Sequence, residues 1–237
     1  AIAGGDGNSA SNYAAVAGGQ GNVASGVWSV VAGGYQNLAT QTWASIVGGV
    51  SNIASGQNAF IGGGSSNVAS GNYSVISGGV YGTTRGITGY QAFPACDSPI
   101  ATAAGVSQGG LLILAGQTTN ATPKVICSNS DTASATNQLA LANNSAAMLN
   151  IDLVGWDQTD YLTMNGINTL IVRGANAAAT VLKSPGYLNY EKSAGASAWA
   201  VSLSADTTNG CLKVQVTGAA GKTIRWVCRI YSTEVAF

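Results

Sequence analysis

The chain has 237 residues, nine basic and nine acidic side chains, a formal net charge of zero and no histidine. With 8% of residues charged there is no electrostatic drive toward nucleic acid, and the lack of His closes the Ser-His-Asp and Cys-His routes and the usual zinc sites. The longest apolar stretches, such as Leu111 to Ala115, fall far short of the ~20 residues of a membrane-spanning helix.

The first predicted element is a tandem repeat. Gly-Gly pairs fall at Gly4-Gly5, Gly18-Gly19, Gly33-Gly34, Gly48-Gly49, Gly63-Gly64 and Gly78-Gly79, one step of 14 residues and then steps of 15. Three residues after each of the first five pairs stands Asn (Asn8, Asn22, Asn37, Asn52, Asn67), and Ala follows two residues later (Ala10, Ala24, Ala39, Ala54, Ala69). The sixth unit has Gly82 in place of the Asn, and the pattern ends near Gly86. A 15-residue unit is too short for a helix pair, so each unit is expected to form one coil of a β-solenoid with two short strands. Gly and Asn tolerate positive φ, which assigns both to the corners. Coils ~4.8 Å apart would stack into a rod ~25 Å long over this region. Ala, Val and Ile can fill its thin interior. A coil this thin buries little apolar surface alone, and a surface this poor in charge guards a monomer badly against association, so an obligate oligomer is expected.

These units resemble the head repeats of YadA-like trimeric adhesins, in the longer Gly-Gly-x-x-Asn variant also found in phage and prophage tail fibres. The resemblance covers residues 1–87. It implies a left-handed parallel β-roll in which three chains pack around one axis. The first residues, Ala1 to Gly5, already belong to a unit, which suggests a fragment or a processed chain.

Within the repeat, Tyr13, Trp28, Trp43, Asn58 and Tyr73 occupy equivalent places. Equivalent places in a solenoid stack into a ladder. Aromatics there suit an interface between copies or a cover over a corner, and they equally suit a sugar-binding strip.

Residues 88–149 read as a β-rich connector. The stretch Gln91 to Pro99 is expected to break any helix or central strand. Gly110 to Ala115 and Lys124 to Cys127 read as short strands, and 138–149 as strand rather than helix. Residues 150–237 read as a β-sandwich or jelly-roll-like tip domain. Asn150 to Trp156 and Trp199 to Leu203 alternate, Asn209-Gly210 opens a strand Cys211 to Thr217, and Lys222 to Val235 is expected to return beside it as a hairpin. That pairing places Cys228 in the core opposite Leu212 and Cys211 on the other face, with no disulfide between them and all four cysteines reduced. The fold class is therefore all-β, a β-roll of about fifteen-residue coils followed by a sandwich tip, in a homotrimer.

The segment Gly221 to Val235, and Leu170 to Ala179 before it, is similar to the C-terminal ending of many phage and prophage tail fibre or spike proteins. In such proteins the tip domain trimerises and can meet the host surface. Arg173, Arg225 and Arg229 could then contact acidic sugars, or pair with Glu191 or Glu234.

A glycosidase needs paired carboxylates ~5–9 Å apart. Asp152, Asp157 and Asp160 are close in sequence but read as turn or surface residues, and they offer too few oxygens for a Ca²⁺ loop. The expectations are no catalytic residue and no enzyme, no metal and no cofactor. The partners are two further copies, a host cell-surface glycan or surface protein, and other virion tail proteins, with neither nucleic acid nor a membrane span. The resemblances imply the receptor-binding part of a trimeric tail fibre, assembled in the host cytoplasm and carried on the virion. The alternatives are the head of a bacterial trimeric autotransporter adhesin on the cell surface, and a fibre that depolymerises polysaccharide. Tyr13, Trp28, Trp43, Tyr73 and the three arginines are the candidate receptor-binding residues.

Overall fold

Each repeat unit forms one coil of a β-solenoid of about six turns. The structure, a computed structural model, describes residues 1–97, 100–183 and 189–237. The chain is all-β and divides into two units, Ala1–Gly110 and Leu111–Phe237. The boundary falls inside the stretch read as a connector.

In the first unit the coils carry two-residue strands: β1 (Ser9–Ala10), β2 (Ala15–Val16), β3 (Val23–Ala24), β4 (Val30–Val31), β5 (Leu38–Ala39), β6 (Ser45–Ile46), β7 (Ile53–Ala54), β8 (Phe60–Ile61), β9 (Val68–Ala69) and β10 (Val75–Ile76). Odd strands stack in parallel in one sheet and even strands in another. Side chains alternate across a strand, so one residue of each strand points inward. The odd strands contribute Ala24, Ala39, Ala54 and Ala69, and the even strands Val31, Ile46, Ile61 and Ile76, all with 0% exposure. Small residues on one wall facing branched ones on the other suit a narrow, close-packed interior.

The repeated Asn serves that interior rather than the corner. Asn22, Asn37, Asn52 and Asn67 are fully buried. The Asn37 amide nitrogen donates to the Gly33 carbonyl at 3.0 Å and to the Gly49 carbonyl of the next coil at 2.9 Å. Its oxygen accepts the Asn52 backbone N–H at 3.0 Å. The same pattern repeats at Asn22 and Asn52, so each buried amide is satisfied by the backbone, and the next-coil glycine carbonyl it meets also accepts a backbone N–H, as Gly49 does from Tyr35 at 2.9 Å. The expectation that Asn supplies positive φ is corrected. The left-handed residues are the second Gly of each pair, the residue before each Asn, and the aromatic position.

The ladder ends where Asn67 accepts from the Gly82 N–H at 2.8 Å. Gln91 to Pro94 does not break the stack, contrary to expectation. It forms β11 (Gln91–Pro94), parallel to β10, with Ala92 beside Ile76. Pro94 falls at the strand's end, where its missing N–H costs least. Ser98 and Pro99 of that stretch lie outside the described residues.

The second unit holds β12 (Ser107–Thr118, from Leu111), β13 (Lys124–Val125), β14 (Leu139–Ala140), β15 (Ser145–Trp156), β16 (Tyr161–Arg173), β17 (Thr180–Leu182), β18 (Tyr190–Lys192), β19 (Ala200–Asp206), β20 (Cys211–Thr217) and β21 (Ile224–Ala236). The larger sheet runs β17-β16-β15-β21-β12, with β18 also on β16, and the smaller joins β13, β14 and β19 to β20. The inner faces meet at Trp199 and Trp226, whose rings lie edge to face at 5.7 Å. The buried Trp226 Nε1 donates to the Thr118 hydroxyl at 2.9 Å. Rows of alternate residues, such as Ile224, Trp226, Cys228 and Ile230, complete the core.

The expected final hairpin is corrected. The chain leaves the smaller sheet after β20 and enters the larger one as β21, which pairs with β15 from Ser145↔Ala236 to Trp156↔Arg225. Cys228 is in the core as expected, but opposite Leu153 rather than Leu212. Cys211 is buried as well, paired to Ala140 of β14. All four cysteines are free, and burial pushes the Cys228 thiol up to about 12.

Candidate functional site

On the solenoid, Tyr13, Trp28, Trp43, Asn58 and Tyr73 sit at the same corner of successive coils, each left-handed, with φ between 55° and 60°. The corner is held by the coil before it: the Trp43 N–H donates to Val27 O at 3.0 Å and the Tyr73 N–H to Gln57 O at 2.8 Å. Trp28 and Trp43 stack at 5.4 Å with 11° between ring planes, and Tyr13 lies 5.9 Å from Trp28, tilted by 36°. All remain open to solvent, Trp28 and Trp43 at 48% and Tyr13 at 78%. Asn58 interrupts the strip, so Tyr73 stands beyond the gap. The structure thus brings together Tyr13, Trp28 and Trp43, with Tyr73 on the same line.

This strip has a conformational cost. A side chain bearing Cβ in the left-handed region costs about 1–2 kcal/mol, and only Gly, Asn and Asp visit it routinely. Asn58 is the inexpensive choice at this corner, and Trp28 and Trp43 are not. Burial does not offset that cost, because both indoles are half exposed within the chain.

In the second unit the three arginines are not brought together. Arg173 donates from Nη1 to the Leu141 carbonyl at 2.7 Å and lies against Gly210, a structural position. Arg229 forms an ion pair with Asp152, in place of the expected Glu191 or Glu234, and stacks over the Tyr231 ring at 4.9 Å. Glu191 instead accepts from the Tyr161 hydroxyl at 2.9 Å. Arg225 is exposed on the outer face of β21, directly across from Trp156.

Sequence reasoning missed Lys222 and Trp156. Lys222 joins Asp157 at 3.0 Å and Asp160 at 2.5 Å. The Asp160 backbone N–H and then Lys222 hold the Asp157 carboxyl at about 2. Lys222 and then the Ser193 hydroxyl lower Asp160 as well. Both carboxylates are ionised at neutral pH, the opposite of a general acid, whose pKa must be raised. Trp156 was legible: in an alternating strand it shares a face with Asp152 and Val154, opposite the buried Leu153. A cavity of about 340 Å³ lies against Trp156, Asp157, Gln158, Lys222, Thr223 and Arg225, and another of about 490 Å³ is also lined by Arg225.

No protein family and no curated protein matches the sequence. Among solved structures, the chain resembles the tailspike protein gp49 of Acinetobacter baumannii bacteriophage Fri1, a capsular polysaccharide depolymerase. The likeness has a TM-score of 0.26 and 11% identity, and covers 92% of this chain and 39% of the length of that one. A likeness this distant assigns no activity. It does remove the expectation that the chain is not an enzyme, since that neighbour is itself a depolymerase. Among the described residues no helix is long and apolar enough to cross a membrane.

Proposed function

We propose that this chain is the host-attaching part of a trimeric phage tail fibre or tailspike, carrying YadA-like coils, and that Tyr13, Trp28, Trp43 and Tyr73 form a platform for a host surface glycan. The observation that carries this reading is the stacked indole pair, half exposed and held in left-handed backbone that favours other residues. Strained residues that persist against their local preference are candidates for a contact outside the chain. Stacked aromatic planes present apolar faces with a polar edge, the surface a pyranose ring meets well.

The trimer is supported by the outer side of the even strands. Val30, Val47 and Phe60 are exposed there, and the face they share with Ala15, Ala32 and Ser45 has no charge to keep copies apart.

Attachment and cleavage of one polysaccharide are compatible, so depolymerisation is the second reading. Both are tested by mixing the intact protein with host cells and with their purified surface polysaccharide. The double variant Trp28→Ala/Trp43→Ala is expected to lose binding by at least ten-fold, as truncation of aromatic anchors does, while its mass in solution stays unchanged. A variant that dissociates into monomers instead makes the strip an interface between copies. Shortened polysaccharide chains establish cleavage, and undiminished ones leave attachment alone.

A further inference from the structure

The larger sheet of the second unit carries a feature that the solenoid strip does not explain. Trp156, at the end of β15, is 54% exposed and stands beside Arg225 in the strand register. Both border the cavity of about 340 Å³, together with Asp157, Gln158, Gly221, Lys222 and Thr223.

The charges around that cavity are unequal in their availability. Lys222 is engaged by both Asp157 and Asp160, a cluster that keeps one net negative charge. Arg229, four residues further along β21, is held by Asp152, and Arg173 by a backbone carbonyl. The Arg225 side chain has no hydrogen bond or ion pair with any of the described residues. Among the described residues one guanidinium is thus left with no direct polar partner, beside an open indole.

We infer that this is a second sugar site, specific for a pyranose bearing a carboxylate, such as a uronic acid. The inference rests on the glycan-attachment reading and adds the ligand class. The Trp156 indole offers a flat face for the apolar side of the ring. The Arg225 fork can take the carboxylate in a bidentate pair. The Gln158 amide and Thr223 hydroxyl are placed for ring hydroxyls. Arg225 also borders the cavity of about 490 Å³, where Lys124, Gln117 and Asp131 stand. A saccharide of two or more residues therefore has two cavities bordering Arg225 to occupy.

The test uses the full chain and two probes: a tetrasaccharide of alternating glucuronic acid and N-acetylglucosamine, and neutral chitotetraose. Binding is read from the indole N–H resonance of Trp156, assigned with Trp156→Phe. The acidic probe is expected to shift that resonance and the neutral one to bind at least ten-fold more weakly. Arg225→Gln should weaken the acidic probe by about ten-fold or more, and raising the salt should weaken it in the unaltered chain. Equal binding of both probes, an unmoved Trp156 resonance, or full affinity in Arg225→Gln overturns the site. Trp28→Ala/Trp43→Ala separates the two claims. If that variant abolishes binding of the acidic probe, the sugar belongs to the solenoid and the tip site falls. If it leaves both the probe and host attachment intact, the solenoid strip falls and the tip site stands.

Discussion

At the scale of single residues, the solenoid depends on an amide and is burdened by its aromatics. Asn37, itself buried, bonds two half-buried glycine carbonyls and one buried backbone N–H. Asn37→Leu would strand the Gly33 carbonyl and the Asn52 N–H at about 1–3 kcal/mol each, while Gly49 keeps the Tyr35 N–H, so a loss of about 2 kcal/mol or more on chemical denaturation is expected. A loss below about 1 kcal/mol would mean that the amide ladder is incidental. Trp28→Asn acts in the opposite sense. Relief of left-handed strain should raise stability by about 1 kcal/mol while host attachment falls. A less stable Trp28→Asn would show that the indole stack returns more than its backbone costs. The repeat displayed the Asn positions plainly, but not their purpose. A residue that tolerates positive φ and one that satisfies buried carbonyls look alike in sequence, and only the neighbouring coil tells them apart.

At the scale of elements, coil spacing admits no Cβ at the tight corners. A Cβ on Gly49, where φ is 89°, would sit 2.1 Å from the Gly64 carbonyl oxygen. Gly49→Ala must therefore push two coils apart, and a lowered melting temperature is expected, where an unchanged one would contradict the stacking. In the second unit, Lys222 ties the β15–β16 turn to the start of β21. Asp157 and Asp160 have depressed pKa values when folded. Their contribution is therefore complete above the ordinary carboxylate range near 4 and is lost as pH falls toward about 2. Lys222 is raised, so its share is complete below the ordinary lysine value and lost as pH rises through the higher folded one. Stability measured against pH should decline on that acid limb, and Lys222→Met should make the decline shallower; an identical limb would contradict the pairing.

The legibility of these elements followed the range of their contacts. The coils and β20 (Cys211–Thr217) were readable, because repeat spacing and alternation are local signals. The partner of β21 was not. Alternation says which side of a strand faces the core, while the choice between β20 and β15 depends on residues about seventy to ninety positions away. For the same reason Lys222 escaped notice beside Asp160, although Asp157 and Asp160 themselves stood out.

At the scale of the whole molecule, the account turns on surface the chain cannot cover alone. The solenoid's interior is thin, rows of Ala, Val and Ile beside the buried Asn ladder, and Val30, Val47 and Phe60 remain exposed on the even strands. At about 25 cal/mol per Å² of apolar area, a neutral face repeated coil after coil favours association with copies of itself. A trimer would also present three aromatic strips at once, multiplying weak sugar contacts through effective concentration. Sedimentation equilibrium of the intact protein tests this most directly. The account predicts about three times the 23.5 kDa of one chain, independent of dilution through the micromolar range, whereas a stable species at the single-chain mass would contradict it.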